Sequence, residues 1–175
     1  MLGLPFLRKR NSTLIDGVGD DAGVLADHLH ILTSCQHTPI ITPHPGEMAR
    51  LMTKTSAKII NNNRLRLALQ FAKNYKVIVV LKGARTIIAE PNGQAAICTT
   101  GNPGMASAGM GDVLTGVIVS LLAQGLSPWN AARVGVYLHG LAGDLTATRL
   151  GQAGMIASDL LAQLPHAIQK LLSER

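Results

Sequence analysis

Asp112 lies in the stretch GNPGMASAGMGDVLTGVI, Gly101–Ile118, where glycines crowd a single acid and an apolar run follows at once. A helix opening near this residue leaves its first N–H groups without partners, and its dipole places partial positive charge there. Gly109 and Gly111 permit positive φ and close approach of a ligand. Gly109, Met110 and Gly111 therefore form a candidate anion hole, suited above all to a phosphate. A carboxylate is oddly placed for holding an anion. Its position makes sense if Asp112 takes a proton from a hydroxyl that reacts with the phosphoryl group. The competing reading is that Asp112 caps the helix. The stretch is no Walker loop, because no Gly-Lys-Ser/Thr follows, and Gly116 comes too late for G-x-G-x-x-G.

Two further stretches carry groups that could meet a ligand. In LKGART, Leu81–Thr86, Lys82 could meet a phosphate and Thr86 could donate a hydrogen bond; a tight turn with solvated Lys and Arg is the alternative. In TPHPGE, Thr42–Glu47, prolines flank His44 and limit its ring to few orientations, so it could contact a ligand at little entropic cost. The alternative there is a stiff connector with a surface histidine. His28, His30, His37, His139 and His166 show no metal-ligand spacing. His139, in LHGLAGD, lies near Gly140, Gly143 and Asp144, small residues expected to permit close helix packing.

These loops need elements to hold them. A short strand is expected over Thr13–Ile15, before a loop rich in Gly and Asp, and another at Ile40 and Ile41. AGVLADHLHIL reads as a helix, and EMARLM begins one with acid in its first turn. NNNRLRLALQFAKNY reads as an amphipathic helix with Leu65, Leu69 and Ala72 on one face. Val77–Leu81 is an unbroken apolar run, as in a strand covered on both faces. ARTIIAE and AAICTT flank PNG as a hairpin. Helices are expected over Val113–Ala123, Asn130–Leu150 and Ala157–Leu172. Strands alternating with helices predict a single α/β layered domain spanning 1–175 with a mostly parallel central sheet. Both TPHPGE and LKGART then follow strands, where ligands bind in such sheets.

The totals narrow the function. The 175 residues are 47% hydrophobic and 15% charged, which excludes a disordered chain. Net charge is +6, but the basic run Arg8-Lys9-Arg10 stands alone and aromatics make up only 3%. That argues against nucleic acid and for a small anionic ligand. Cys35 and Cys98 read as reduced structural thiols. No apolar run reaches the ~20 residues needed to span a bilayer. A soluble, cytoplasmic protein with no membrane partner is expected.

TPHPGE, LKGART and GNPGMASAGMGDVLTG, in that order, are more specific together than any one alone. With LSPWNAARVGVYLHGLAGD and GMIASDLLAQLPHAI, the chain from Thr38 to Leu172 resembles the ADP- or ATP-dependent NAD(P)H-hydrate dehydratases, the C-terminal domain of YjeF-type proteins, within the ribokinase-like superfamily. The resemblance implies a ribokinase-like αβα domain and a nicotinamide repair reaction. A nucleotide phosphorylates the hydroxyl of hydrated NADH or NADPH, and loss of phosphate restores the double bond. By this resemblance Asp112 is the catalytic base and contacts the hydrated cofactor, as does His44. Lys82, Gly83, Ala84, Arg85 and Thr86 line the nucleotide, with Gly111 at its phosphates. Magnesium is implied as cofactor with ADP or ATP as co-substrate, and Glu47 is a candidate to reach the metal through water. The family domain is longer than this chain, so an N-terminally truncated form is expected. Its partner would be a complementing N-terminal fragment or a second copy of itself. LIDGVGDDAGVL stands where the family carries a stretch like VLDADALN, and residues 1–15 have no placed counterpart. A non-catalytic remnant that binds nucleotide, and a vitamin or sugar kinase, are the other readings.

Overall fold

The computed structural model describes residues 14–15, 25–53 and 55–173. They divide into two compact units, one comprising the chain to Gly83 together with Ile87–Ala96, the other Ala84–Thr86 and the chain from Ile97.

The first unit carries the sheet. Its strands are β1 (Leu14–Ile15), β2 (Ile40–Ile41), β3 (Ile78–Leu81), β4 (Ile87–Ala89) and β5 (Ala95–Ile97), lying side by side in chain order. β1 pairs parallel with β2 and β2 parallel with β3, Ile40 opposite Ile78 and Ile41 opposite Val79. β3 pairs antiparallel with β4, Val80 opposite Ile88. The sheet is therefore mixed, parallel from β1 to β3 and antiparallel at β4. The link from Leu81 to Ile87 is too short for a crossover, which needs about a dozen residues or more, so β4 must run back along β3. The PNG turn reverses the chain again, with Glu90 N–H donating to Gln94 O at 2.9 Å and Gly93 at φ +93°.

Helices α1 (His30–Thr33), α2 (Pro45–Leu51), α3 (Ala57–Asn62) and α4 (Arg64–Tyr75) belong to the same unit. α1 is much shorter than AGVLADHLHIL suggests. Ser56 caps α3 by accepting from Ile59 N–H, and α4 ends where Lys76 turns left-handed at φ +54°. The buried face of α4 is Leu67, Ala68, Phe71 and Ala72, while Leu65 is 43% exposed. The expected face was thus rotated: the true stripe follows i, i+1, i+4, i+5, which the many leucines of this helix concealed. The stripe packs with Met48, Leu51, Ile60, Val77, Val79 and Leu81. Every residue of β3 is buried, as its unbroken apolar run requires.

The second unit is helical. A 3₁₀ turn at Pro103–Met105 leads to α5 (Met110–Ala123), α6 (Pro128–Leu150) and α7 (Ala157–Ser173). α5 begins three residues before the expected Val113, because Gly109 rather than Asp112 is its N-cap. α6 starts at Pro128, with Ser127 accepting from Asn130 N–H; proline at the first helical position loses nothing there. Met110, Leu138, Leu141, Ala142, Met155, Leu160 and Ala167 form this unit's core. Both cysteines are unpaired, Cys98 buried and Cys35 partly so, and burial raises the Cys35 thiol pKa. No described helix is long and apolar enough to cross a membrane. The Gly- and Asp-rich loop after β1 lies outside the described residues.

Candidate functional site

In the first unit, the segments following β2 and β3 are tied together. Lys82 N–H donates to Pro43 O at 2.9 Å. His44 is the N-cap of α2 and closes a capping box with Glu47. The His44 Nδ1 accepts from Gly46 N–H at 3.0 Å and Glu47 N–H at 3.2 Å, while Glu47 Oε2 accepts from His44 N–H at 2.7 Å. An Nδ1 that accepts carries no proton, so the imidazole is neutral and its proton sits on Nε2. That nitrogen lies 3.3 Å from Glu47 Oε1. The ring is oriented by these bonds more than by the flanking prolines, and half of the side chain is exposed.

Glu47 is 3% exposed, a buried acid that needs partners. It has them in His44 and in Lys82, whose Nζ lies 3.7 Å from Oε2. With both oxygens committed within the protein, Glu47 is the anchor of this cluster. Among the described residues no group of three or more His, Cys, Asp or Glu is placed to hold a metal ion. Magnesium prefers one or two carboxylates plus substrate phosphates to an all-protein cage. The single buried carboxylate of this cluster, Glu47, is compatible with an ion that arrives on a nucleotide.

Arg64 braces the end of β3. Its Nη2 donates to Leu81 O at 2.9 Å and to Lys82 O at 3.3 Å, and burial lowers its pKa. The next residues are held in unusual backbone conformations, Gly83 at φ +135° and Arg85 at φ +55°. A non-glycine residue in the left-handed region costs about 1 kcal/mol, and such strain gathers at binding loops. Arg64→Ala removes charged donors from two carbonyls; an expected loss of about 1.5–3 kcal/mol would show in the urea midpoint.

In the second unit, Ala84, Arg85 and Thr86 complete the LKGART turn, and Thr86 O accepts from Cys98 N–H at 2.9 Å. Gly109 stands at φ +82°, ψ −13°, a conformation that turns the chain into α5. Val113 is the first amide to reach an intrahelical acceptor, Gly109 O at 3.1 Å. The amides of Met110, Gly111 and Asp112 thus lie in the part of the first turn that the helix itself leaves unpaired. Asp112 is the third helical residue, exposed, and no hydrogen bond or ion pair engages it among the described residues. It does not cap the helix. The arrangement is a set of open amides with a free carboxylate beside them, able to hold an anionic group and accept a proton from a neighbouring hydroxyl.

A family model described as NAD(P)H-hydrate dehydratase matches residues 5–166. The chain belongs to the NAD(P)H-hydrate dehydratase family. It is 50% identical to the bifunctional NAD(P)H-hydrate repair enzyme Nnr of Moorella thermoacetica, over 89% of this chain and 29% of that protein. It is 37% identical to the ADP-dependent (S)-NAD(P)H-hydrate dehydratase of Neisseria meningitidis, over 82% of this chain and 55% of that one. Among solved structures, the ADP/ATP-dependent NAD(P)H-hydrate dehydratase of Bacillus subtilis, co-crystallised with ATP and magnesium, matches with a TM-score of 0.73 at 34% identity. That match covers 76% of this chain and 48% of the other. A ribokinase-like superfamily protein from Enterococcus faecalis matches with a TM-score of 0.65 at 26% identity, over 89% of this chain and 52% of that one. The fold is α/β and ribokinase-like. The chain spans 29% of the Moorella enzyme and about half of the single-function dehydratase. The matched residues begin well upstream of Thr38, where the motif resemblance starts.

Within the family, the structure adds Arg64, which no motif marked, and gives partners to Glu47, His139 and Asp144, which the motifs did contain. Arg64 reads in sequence as one cation of a polar helix face, and nothing local sets it apart. Glu47 was detectable: an acid three residues after a cap position signals a capping box, although histidine replaces the usual Ser or Thr. His139 is buried, its Nε2 2.9 Å from Met110 O, and Asp144 binds the segment that begins at Gly101.

Proposed function

We propose that this chain carries out the nucleotide-dependent dehydration of hydrated NADH or NADPH. The observation that carries the proposal is the free Asp112 carboxylate on a helix turn whose first amides are open behind Gly109. Asp112 takes the proton of the ring hydroxyl, and the resulting oxygen attacks the terminal phosphoryl group of ADP or ATP, whose bond to the bridging oxygen breaks to release AMP or ADP. The amides behind Gly109, Met110 and Gly111 hold the charge that develops on the transferring group. Inorganic phosphate then leaves with the electrons of the carbon–oxygen bond. The neighbouring ring carbon gives up a proton, and the double bond re-forms. Magnesium, carried in with the nucleotide, would offset the charge of its phosphates. Lys82, Gly83, Ala84, Arg85 and Thr86 contact the nucleotide. His44, held by Glu47, contacts the hydrated cofactor through its exposed ring.

Family membership supports the substrate class, and the ADP-dependent name of the Neisseria relative supports the co-substrate. The test is incubation of the protein with hydrated NADH, magnesium and ADP or ATP, following absorbance at the reduced-nicotinamide band. Recovery is expected. Nucleotide binding without recovery, even at high protein concentration, would leave a non-catalytic member of the family. Transfer of phosphate to a sugar or a vitamin alcohol would make it a kinase.

A further inference from the structure

The LHGLAGD segment of α6 has no part in the chemistry above, yet it touches the phosphate turn at both ends. We infer that His139 and Asp144 are positioning residues that fix the turn bearing Asp112, an inference that rests on the proposed dehydratase reading. At the far end, His139 Nε2 lies 2.9 Å from the carbonyl of Met110, the first residue of α5. A carbonyl is an acceptor, so Nε2 bears the proton and donates. At the near end, Asp144 Oδ2 accepts from Gly101 N–H at 2.8 Å and Oδ1 from Asn102 Nδ2 at 3.0 Å. Asn102 Oδ1 in turn accepts from Gly104 N–H at 3.0 Å and caps the 3₁₀ turn.

Between these anchors α6 meets the loop with two glycines, Gly140 and Gly143, while Leu141 and Ala142 are buried in the core of this unit. A Cβ built on Gly140 would collide with Thr100, and one on Gly143 with Met105. The glycines therefore seat the loop against the helix, not helix against helix. Thr100 Oγ1 donates to Tyr137 O at 3.1 Å, adding a third tie. Residues 106–108, which these ties leave out, are exposed. The loop is thus pinned at its ends to one rigid helix. Its open amides inherit their direction from α6, and a displacement of even about 1 Å in such a turn costs large factors in rate.

The experiment uses the full chain in four forms: native, His139→Phe, His139→Gln and Asp144→Asn. Amide hydrogen exchange is read without ligand, and turnover with saturating nucleotide. His139→Phe should speed exchange in residues 109–112 by roughly tenfold or more and lower kcat by a similar factor, with α7 protection and the KM for nucleotide unchanged. His139→Gln, which keeps a donor, should recover most of both. Asp144→Asn should loosen residues 101–104. Unchanged exchange in residues 109–112 of His139→Phe overturns the inference, as does a uniform rise across α5, α6 and α7, which marks a merely structural histidine. Should the native protein prove inactive, the exchange pattern still decides this inference while the dehydratase reading falls alone.

Discussion

Asp112→Asn is expected to lower turnover by at least about 100-fold, the lower end of what a positioned general base contributes, while nucleotide affinity stays within a few-fold of native. The substitution is nearly isosteric and the side chain is exposed without a described partner, so little structure depends on it. The amide keeps its size and polarity but cannot accept the hydroxyl proton. The helix loses one favourable charge in its first turn, worth about 0.3–1 kcal/mol, so the melting temperature should fall slightly at most. Removing a negative charge beside the proposed anion site should tighten nucleotide binding slightly. Binding measured by calorimetry and turnover measured spectroscopically separate the two roles. A collapse of affinity alongside turnover would mean that the acid holds the turn together and does no proton chemistry.

Much of this site is legible because its parts are local. The loop before α5 reads directly, since glycine density, a following apolar run and a single acid all lie within one stretch. The helices of the second unit are recovered to within three residues at each end because long apolar stripes are short-range signals, while Ser127 and Pro128 set the start of α6 two residues before the expected Asn130. β3 is equally plain, since no turn interrupts its apolar run. What the sequence hides is long-range. The rotated face of α4 depends on which leucines the sheet meets, and Leu65 and Leu67 look alike until it does. The antiparallel β4 follows from the length of the link between Leu81 and Ile87, not from any motif within it. His44, whose Nδ1 accepts two backbone N–H groups as the cap of α2, shows how a motif residue can carry a structural role that its flanking prolines do not announce. His139, Gly140, Gly143 and Asp144 stand together in one stretch, but the partners of its loop-facing residues lie 29 to 43 residues upstream. Only the packed chain discloses that they seat a loop.

That seat gives the second large effect a sign that helix propensity alone would reverse. Gly140→Ala should destabilise the protein, although alanine in a helix interior is worth about 1 kcal/mol over glycine. The added Cβ would meet Thr100 Oγ1 and would also approach the Thr100 carbonyl carbon at 2.8 Å. A hydroxyl can rotate away; a backbone carbon moves only with its loop, and that loop is tied at Gly101 by Asp144. Overpacking of this kind costs about 1–3 kcal/mol and at times more, which outweighs the propensity gain. The built-in comparison is Gly116, exposed within α5, where an added Cβ meets nothing within 4 Å. Gly116→Ala should raise stability by up to about 1 kcal/mol, so thermal melts of the two variants should move in opposite directions from native. Turnover should fall in the first, because the displaced loop carries the phosphate turn with it, and hold in the second. A Gly140→Ala protein that melts higher than native and keeps its rate would show that the loop yields freely, and the helix would then be no template for the site.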